Sequence, residues 1–260
     1  MLTIQNLHVS LGRAAVIHGI DAQAAPGRIV AVIGPNGSGK TTLLRAISGD
    51  VPYAGQIALD GADLATRKPW ELAARRGVLP QAASLAFPFT VAEVVRLGLT
   101  SGTQADRTDL IARALAEVDL TGFSGRYYQE LSGGQQARVQ LARVRVQVWD
   151  PVQNGAARWL FLDEPVASLD IAHQIGVMRV LRRFADGGGG VVMVLHDLNL
   201  AAMVADDVWL VHEGKLLDIG PPDRVIGGPN LATAYGCPII ANHLPGTGAT
   251  FVLPHGLWAG

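Results

Sequence analysis

Ile29-Val30-Ala31-Val32-Ile33-Gly34-Pro35-Asn36-Gly37-Ser38-Gly39-Lys40-Thr41 decides how this chain is read. Its first five residues form an unbroken, mostly β-branched apolar run, which suits a strand buried on both faces of a parallel sheet. The next eight match G-x-x-x-x-G-K-[ST], directly after a strand as that motif requires. Glycines let a backbone fold around phosphates with its N–H groups pointing inward, and the following helix adds its positive N-terminus. Lys40 has the reach for β- and γ-phosphates, and Thr41 offers a hydroxyl to Mg²⁺. The chain has only three lysines, Lys40, Lys68 and Lys215, and one stands where a phosphate lysine must.

Outward from that stretch, Trp159 to Leu162 and Val191 to Leu195 have the same apolar character. Between them, the apolar residues of Ile171 to Phe184 recur at helical spacing. Strands alternating with helices predict a parallel α/β fold. Leu160-Phe161-Leu162-Asp163-Glu164 ends such a strand in two acids, at the carboxyl edge where parallel sheets bind ligands. There Asp163 is expected to hold Mg²⁺ through water, and Glu164 to orient and polarise an attacking water.

The flanks read differently. Leu2 to Leu11 is a strand with patchy alternation, and Val208–Val211 with Leu216–Ile219 around Glu213-Gly214 resembles a hairpin. Thr90 with Glu93 makes a capping box, and Phe89 supplies a hydrophobic staple. Helical patterns follow over Leu110–Val118 and Gln135–Trp149, with no convincing strand among them. The expectation is a helical subdomain over residues 88–149, inserted into an α/β core of residues 1–87 and 150–230. Asp150 to Ala157 reads as a surface loop, because its composition cannot continue a helix. Residues 231–260, rich in Pro and Gly, read as an irregular appendage.

Composition narrows the function classes. With 260 residues, 49% hydrophobic and 17% charged, the chain has ample material for a large core and is no disordered polyampholyte. No apolar run approaches the ~18 residues of a membrane span, and residues 1–30 lack a signal peptide's basic start and apolar block. The chain is expected to be soluble and unexported. A net charge of −1 gives no bulk attraction for nucleic acid or an anionic membrane. The single cysteine, Cys237, excludes an internal disulfide and a cysteine-based metal site.

Leu131-Ser132-Gly133-Gly134-Gln135 discriminates further. Ser132 and Gln135 form a capping box, yet two glycines follow the cap, each costing up to ~1 kcal/mol of helix stability in an interior position. They leave N–H groups unobstructed beside a positive helix end, a second anion site. With this segment the chain resembles the ATPases of ABC transporters, whose signature motif it matches.

The resemblance covers about residues 2–225 and extends position by position. Gly34 to Thr41 and Thr42 match the ATP-binding loop, and Gln81, in Val78-Leu79-Pro80-Gln81, matches the Q-loop glutamine that contacts Mg²⁺ and water. Ser168-Leu169-Asp170 matches the D-loop, and His196, after the Val191–Leu195 strand, the switch histidine at the γ-phosphate. The remaining histidines read as structural or surface residues. The family fold implies a P-loop core with an N-terminal antiparallel β part and an inserted helical subdomain. It also implies ATP as substrate, Mg²⁺ on Thr41, Gln81 and (through water) Asp163, and catalysis by Glu164, Gln81 and His196. Two copies pack head to tail in this family, so that Leu131 to Gln135 of one act on the other's ATP. Leu11 stands near the position where many members stack adenine on an aromatic ring, and Val166 replaces a more usual Thr or Ser.

A single ATPase unit without span or long coiled coil suits a separate importer subunit. Phe87-Pro88-Phe89-Thr90-Val91 and His196-Asp197-Leu198-Asn199-Leu200-Ala201-Ala202 resemble the ATPases of iron-chelate, haem and cobalamin uptake. Arg158-Trp159, the insertion before it and the tail Asn242-His243-Leu244-Pro245-Gly246-Thr247-Gly248 are most similar to the haem importers. The resemblance implies two permease subunits, a periplasmic haem-binding protein and the cytoplasmic face of a bacterial inner membrane. Ferric-siderophore or cobalamin import and a non-transport ATPase are the alternatives.

Overall fold

The computed structural model describes residues 1–81, 85, 87–101, 106–243, 250 and 252–253. A six-stranded sheet forms the centre, built from β3 (Ile29–Ile33), β6 (Arg76–Leu79), β9 (Trp159–Asp163), β10 (Gly190–Val194), β11 (Asp207–His212) and β12 (Lys215–Gly220). Its order is β12-β11-β3-β10-β9-β6, all parallel except the β11–β12 hairpin. A four-stranded antiparallel sheet lies on one side, with β1 (Leu2–Leu11), β2 (Ala14–Ala24), β4 (Ala54–Leu59) and β5 (Ala62–Asp63) in the order β2-β1-β4-β5.

Alternation explains why the central strands are apolar throughout. In β3, Ile29, Ala31 and Ile33 enter one core while Val30 and Val32 enter the other; β9, β10 and β11 divide in the same way. One core lies between the central sheet, the antiparallel sheet and α1 (Lys40–Ile47). The other joins the opposite face to α3 (Val91–Ser101), α4 (Asp109–Glu117), α5 (Gly133–Gln147), α6 (Ile171–Asp186) and α7 (Leu198–Val204). Short helices α2 (Pro69–Ala73), α8 (Pro222–Ile226) and α9 (Pro229–Tyr235) complete the chain. A period of two with both faces covered leaves no polar side to the strand.

The helical insertion is fixed by local chemistry and by polar side chains reaching into it. Thr90 and Glu93 form the expected box: Glu93 Oε2 accepts from the Thr90 amide at 2.7 Å, and Thr90 Oγ1 from the Glu93 amide at 3.3 Å. Phe89 packs on the same core as Val94, as a staple requires. Gly98 permits the close crossing of α3 over α5, since a Cβ there would lie 1.9 Å from the Arg143 carbonyl oxygen. Arg138 on α5 donates to the Val118 and Asp119 carbonyls at 2.9 Å each, satisfying the end of α4.

Two expectations change. Asp150 to Ala157 is not an unstructured surface loop but carries a tight hairpin, β7 (Val152–Gln153) against β8 (Ala156–Ala157). Asn154 and Gly155 both take positive φ, 52° and 73°, which a two-residue type I′ turn demands. Fully buried Arg158 anchors the hairpin by donating to Gln153. Secondly, α9 begins before residue 231 and buries Leu231 and Ala234, so ordered core packing runs into the expected appendage. Of the tail stretch Asn242 to Gly248, Leu244 to Gly248 lie outside the described residues.

Candidate functional site

Parallel register brings four chain segments to one edge of the sheet. Val194 of β10 pairs with Asp163 of β9 and with Val32 of β3, while Leu79 of β6 pairs with Leu162. The residues just beyond those strand ends are therefore neighbours: Gly34 onward, Gln81, Glu164 and His196. Together with Val16 of β2 they line a cavity of about 370 Å³, with Asn36, Gly37, Gly39, Lys40, Thr41 and Thr42 on its phosphate-loop side.

The loop between β3 and α1 depends on glycine at two places. Gly34 has φ 147°, and a Cβ there would sit 2.1 Å from the Val211 carbonyl oxygen. Gly39, the N-cap of α1, has φ 104°, a region that L side chains rarely enter. Lys40 is buried and donates to the Gly34 and Pro35 carbonyls at 2.8 Å each, bracing the loop from within. Burial holds its ammonium below the usual lysine range, against the opposing pull of Glu164 and Asp163.

The two acids differ in environment. Asp163 is buried and accepts from Thr41 Oγ1 at 3.3 Å. Burial pushes its carboxyl up, opposed by the Thr41 bond, Lys40 and His196. Glu164 turns away from the strand with φ 50°, a left-handed conformation costing of order 1–3 kcal/mol in a non-glycine residue. That turn brings Oε1 to Gln81 Nε2 at 3.0 Å and to His196 Nε2 at 2.6 Å. Gln81, Glu164 and His196 thus meet as one cluster.

The Leu131–Gln135 segment, at the start of α5, does not line that cavity, but Gly133 lines an adjoining one with Gln81, Asp163, Glu164 and Ser168. Ser132 Oγ accepts from the Gln135 amide at 3.3 Å, and Gln135 Oε1 accepts from the Ser132 amide at 3.0 Å, so the expected box is formed. The two glycines differ. A Cβ on Gly133 would touch nothing within 4 Å, whereas one on Gly134 would lie 3.1 Å from the Ser168 carbonyl oxygen. Gly133 is open to a ligand, and Gly134 lets α5 approach Ser168-Leu169-Asp170. Ser168 and Asp170 are exposed, Leu169 is buried, and Asp170 caps α6. Val166 is buried in the apolar core, where a methyl suits the site as well as a hydroxyl.

Sequence reasoning missed three contributors. Val16 lies on β2, for which no strand was expected; the left-handed Glu164 turn has no sequence mark; and His173, read as structural or surface, bonds to Asp170.

Comparison with known proteins places the chain in a family. The profile of the ABC transporter family matches residues 17–167. The Hemin import ATP-binding protein HmuV of Jannaschia sp. (strain CCS1) is 60% identical over 98% of this chain and 94% of its own length. Its counterpart in Roseobacter denitrificans is 56% identical over 98% and 97%. Among solved structures, the ATP-binding subunit of an ABC transporter superposes with a TM-score of 0.76 at 22% identity, over 86% of this chain and 90% of that one. A nucleotide-free ATP-binding cassette gives 0.76 at 20% identity over 89% and 97%; at these identities the likeness is one of fold. The chain belongs to the ABC transporter family and is one of its ATPases.

Proposed function

We propose that this chain is the ATP-hydrolysing subunit of a bacterial importer that carries haem inward. The observation that carries the reading is 60% identity, along nearly the whole chain, to a protein named for hemin import. ATP would lie on Gly34 to Thr42, with its β- and γ-phosphates against the loop amides and Lys40. Glu164 is the group that positions and deprotonates the attacking water, and His196 and Gln81 fix its carboxylate through the bonds to Oε1. Thr41, Asp163 and Gln81 fit Mg²⁺, because they offer only hard oxygen donors and two of them already stand 3.3 Å apart. Bound there, Mg²⁺ would supply charge neutralisation at the phosphates. A nearby divalent cation also favours the ionised form of Asp163, which burial disfavours.

A head-to-tail pair of copies is the assembly in which Ser132 to Gln135 serve a nucleotide, each on the partner's ATP. Residues 88–149 form the moving helical subdomain; residues 1–87 and 150 onward, through α9, form the core. The permease docks beside α3, where Phe87 and Tyr127 are exposed and Phe87 meets Phe89 edge-on at 6.3 Å. No helix among the described residues is long and apolar enough to cross a membrane, and the chain is held at the cytoplasmic face of the inner membrane through that contact. The test is reconstitution of ATPase and permease in vesicles with a haem-binding protein outside. ATP should drive haem into the lumen, and the loaded binding protein should speed hydrolysis. Movement of cobalamin or a ferric siderophore without haem would reassign the cargo, and failure to associate with any permease would overturn the reading.

A further inference from the structure

The loop before α6 lies against the first turn of α5, where a Cβ on Gly134 would meet the Ser168 carbonyl and the Leu169 side chain, and a second link joins their elements farther out. His173, in the first turn of α6, places Nδ1 at 2.8 Å from both carboxylate oxygens of Asp170, and its amide donates to the same carboxylate at 3.0 Å. Its other nitrogen, Nε2, lies 3.7 Å from Oδ2 of Asp119. Asp119 closes α4 with φ 56°. Its carbonyl accepts from Arg138 Nη1 at 2.9 Å, and its carboxylate lies 3.7 Å from the same guanidinium. Arg138 belongs to α5, the helix that Ser132 caps. One imidazole therefore stands between the D-loop carboxylate and the far end of a chain of contacts returning to the signature helix. The contact with Asp170 is a hydrogen bond, while the one with Asp119 lies in ion-pair range.

We propose that His173 is a positioning residue that locks Asp170 to the signature helix through Asp119 and Arg138, so that Ser168–Asp170 and Ser132–Gln135 approach a partner's nucleotide as one body. The proposal rests on the reading that Ser132–Gln135 serve a partner's ATP. His173 lies outside the cavity formed by its own chain's phosphate loop, so its loss should leave nucleotide binding intact and slow only the step that needs the closed pair.

The test measures kcat and KM for MgATP, nucleotide affinity and melting temperature on the full-length chain. His173→Ala should lower kcat about five-fold, the kinetic equivalent of one exposed hydrogen bond, with KM and affinity nearly unchanged. Asp119→Asn should cost about two-fold alone, as an exposed ion pair does, and nothing further beside His173→Ala. His173→Asn, whose Nδ2 stands where Nδ1 does and keeps the Asp170 bond without reaching Asp119, should recover only to the level of Asp119→Asn, about two-fold below wild type, and should not respond to Asp119→Asn. Unchanged kcat in His173→Ala, additive losses in the double variant, or kcat falling in step with affinity and melting temperature would each overturn the proposal. Ser132→Arg measured alongside separates the two levels. If Ser132→Arg stays active, the signature reading fails and this inference with it; if it is inactive while His173→Ala is fully active, only this inference fails.

Discussion

Replacing Glu164 by glutamine removes one negative charge and almost no volume. The backbone at this position is left-handed with φ 50°, a strain that Glu and Gln bear alike. The amide oxygen of Gln can still accept from Gln81 Nε2 and His196 Nε2, the two donors that now converge on Glu164 Oε1. The fold should therefore be unaffected, and melting should move by no more than about 2 °C. What disappears is the oxygen proposed to take a proton from water. A positioned base is worth about 10²–10⁴ in rate, or about 2.7–5.4 kcal/mol of barrier. Binding through Lys40 and the loop amides is untouched, so nucleotide affinity should stay within a factor of two or so of wild type by the same argument. Single-turnover phosphate release gives the chemical step, and size-exclusion chromatography with ATP gives the assembly state. The variant should elute as an ATP-loaded dimer, since the γ-phosphate bridging two copies is no longer removed. Near-normal phosphate release would refute the role of Glu164, and lost release together with lost ATP binding would show that the substitution damaged the site itself.

Further outcomes follow from other positions. Burial raises the Asp163 carboxyl, so the folded state binds that proton more tightly than the unfolded chain, whose value lies near 3.8. The resulting stabilisation is present below that value and lost as pH rises through the folded one. At neutral pH the ionised group costs stability, and Asp163→Asn should melt higher than wild type in the nucleotide-free protein, by about 2–4 °C per kcal/mol recovered, with the gap closing in acid and hydrolysis abolished. Gly98→Ala should destabilise the chain by about 1–3 kcal/mol despite alanine's better helix propensity, because the new Cβ meets the Arg143 carbonyl at 1.9 Å; a urea midpoint at or above wild type would contradict this. Leu11→Tyr supplies a ring where adenine is expected to rest, and should tighten ATP binding about ten-fold, a typical return for base stacking, as read by fluorescent-nucleotide displacement.

Legibility differed by the range of the interaction that decides each feature. β3 and the loop after it were readable because strand, glycines and lysine follow one another in the chain. The Thr90–Glu93 and Ser132–Gln135 boxes were readable because each closes within four residues. Gln81 was recognised only by resemblance, since β6 is four residues long and only Val78 and Leu79 in it carry an apolar side chain. The Asn154-Gly155 turn carried its signal openly, yet the surrounding composition masked two strands of two residues each. Arg138, Arg145 and Arg158 are buried against all expectation for arginine. Their partners include carbonyls at helix ends, such as Val118 for Arg138 and Trp149 for Arg145. No local pattern announces a side chain placed to satisfy a distant helix terminus. His173 escaped for the same reason, its significance lying in Asp119, 54 positions earlier in the chain.

Mixing two defective variants tests most directly whether each nucleotide site is shared between two copies. Ser132→Arg places bulk and positive charge where a partner's γ-phosphate would dock, and Lys40→Ala empties the phosphate loop of its cation. Each alone should be inactive. In a head-to-tail heterodimer, one site combines an intact loop with an intact signature, while the other carries both defects. ATPase activity should return, toward half of the wild-type rate per heterodimer and so about a quarter in a randomly paired equimolar mixture, if the sites fire independently. A confirmed heterodimer with no regained activity would contradict the account.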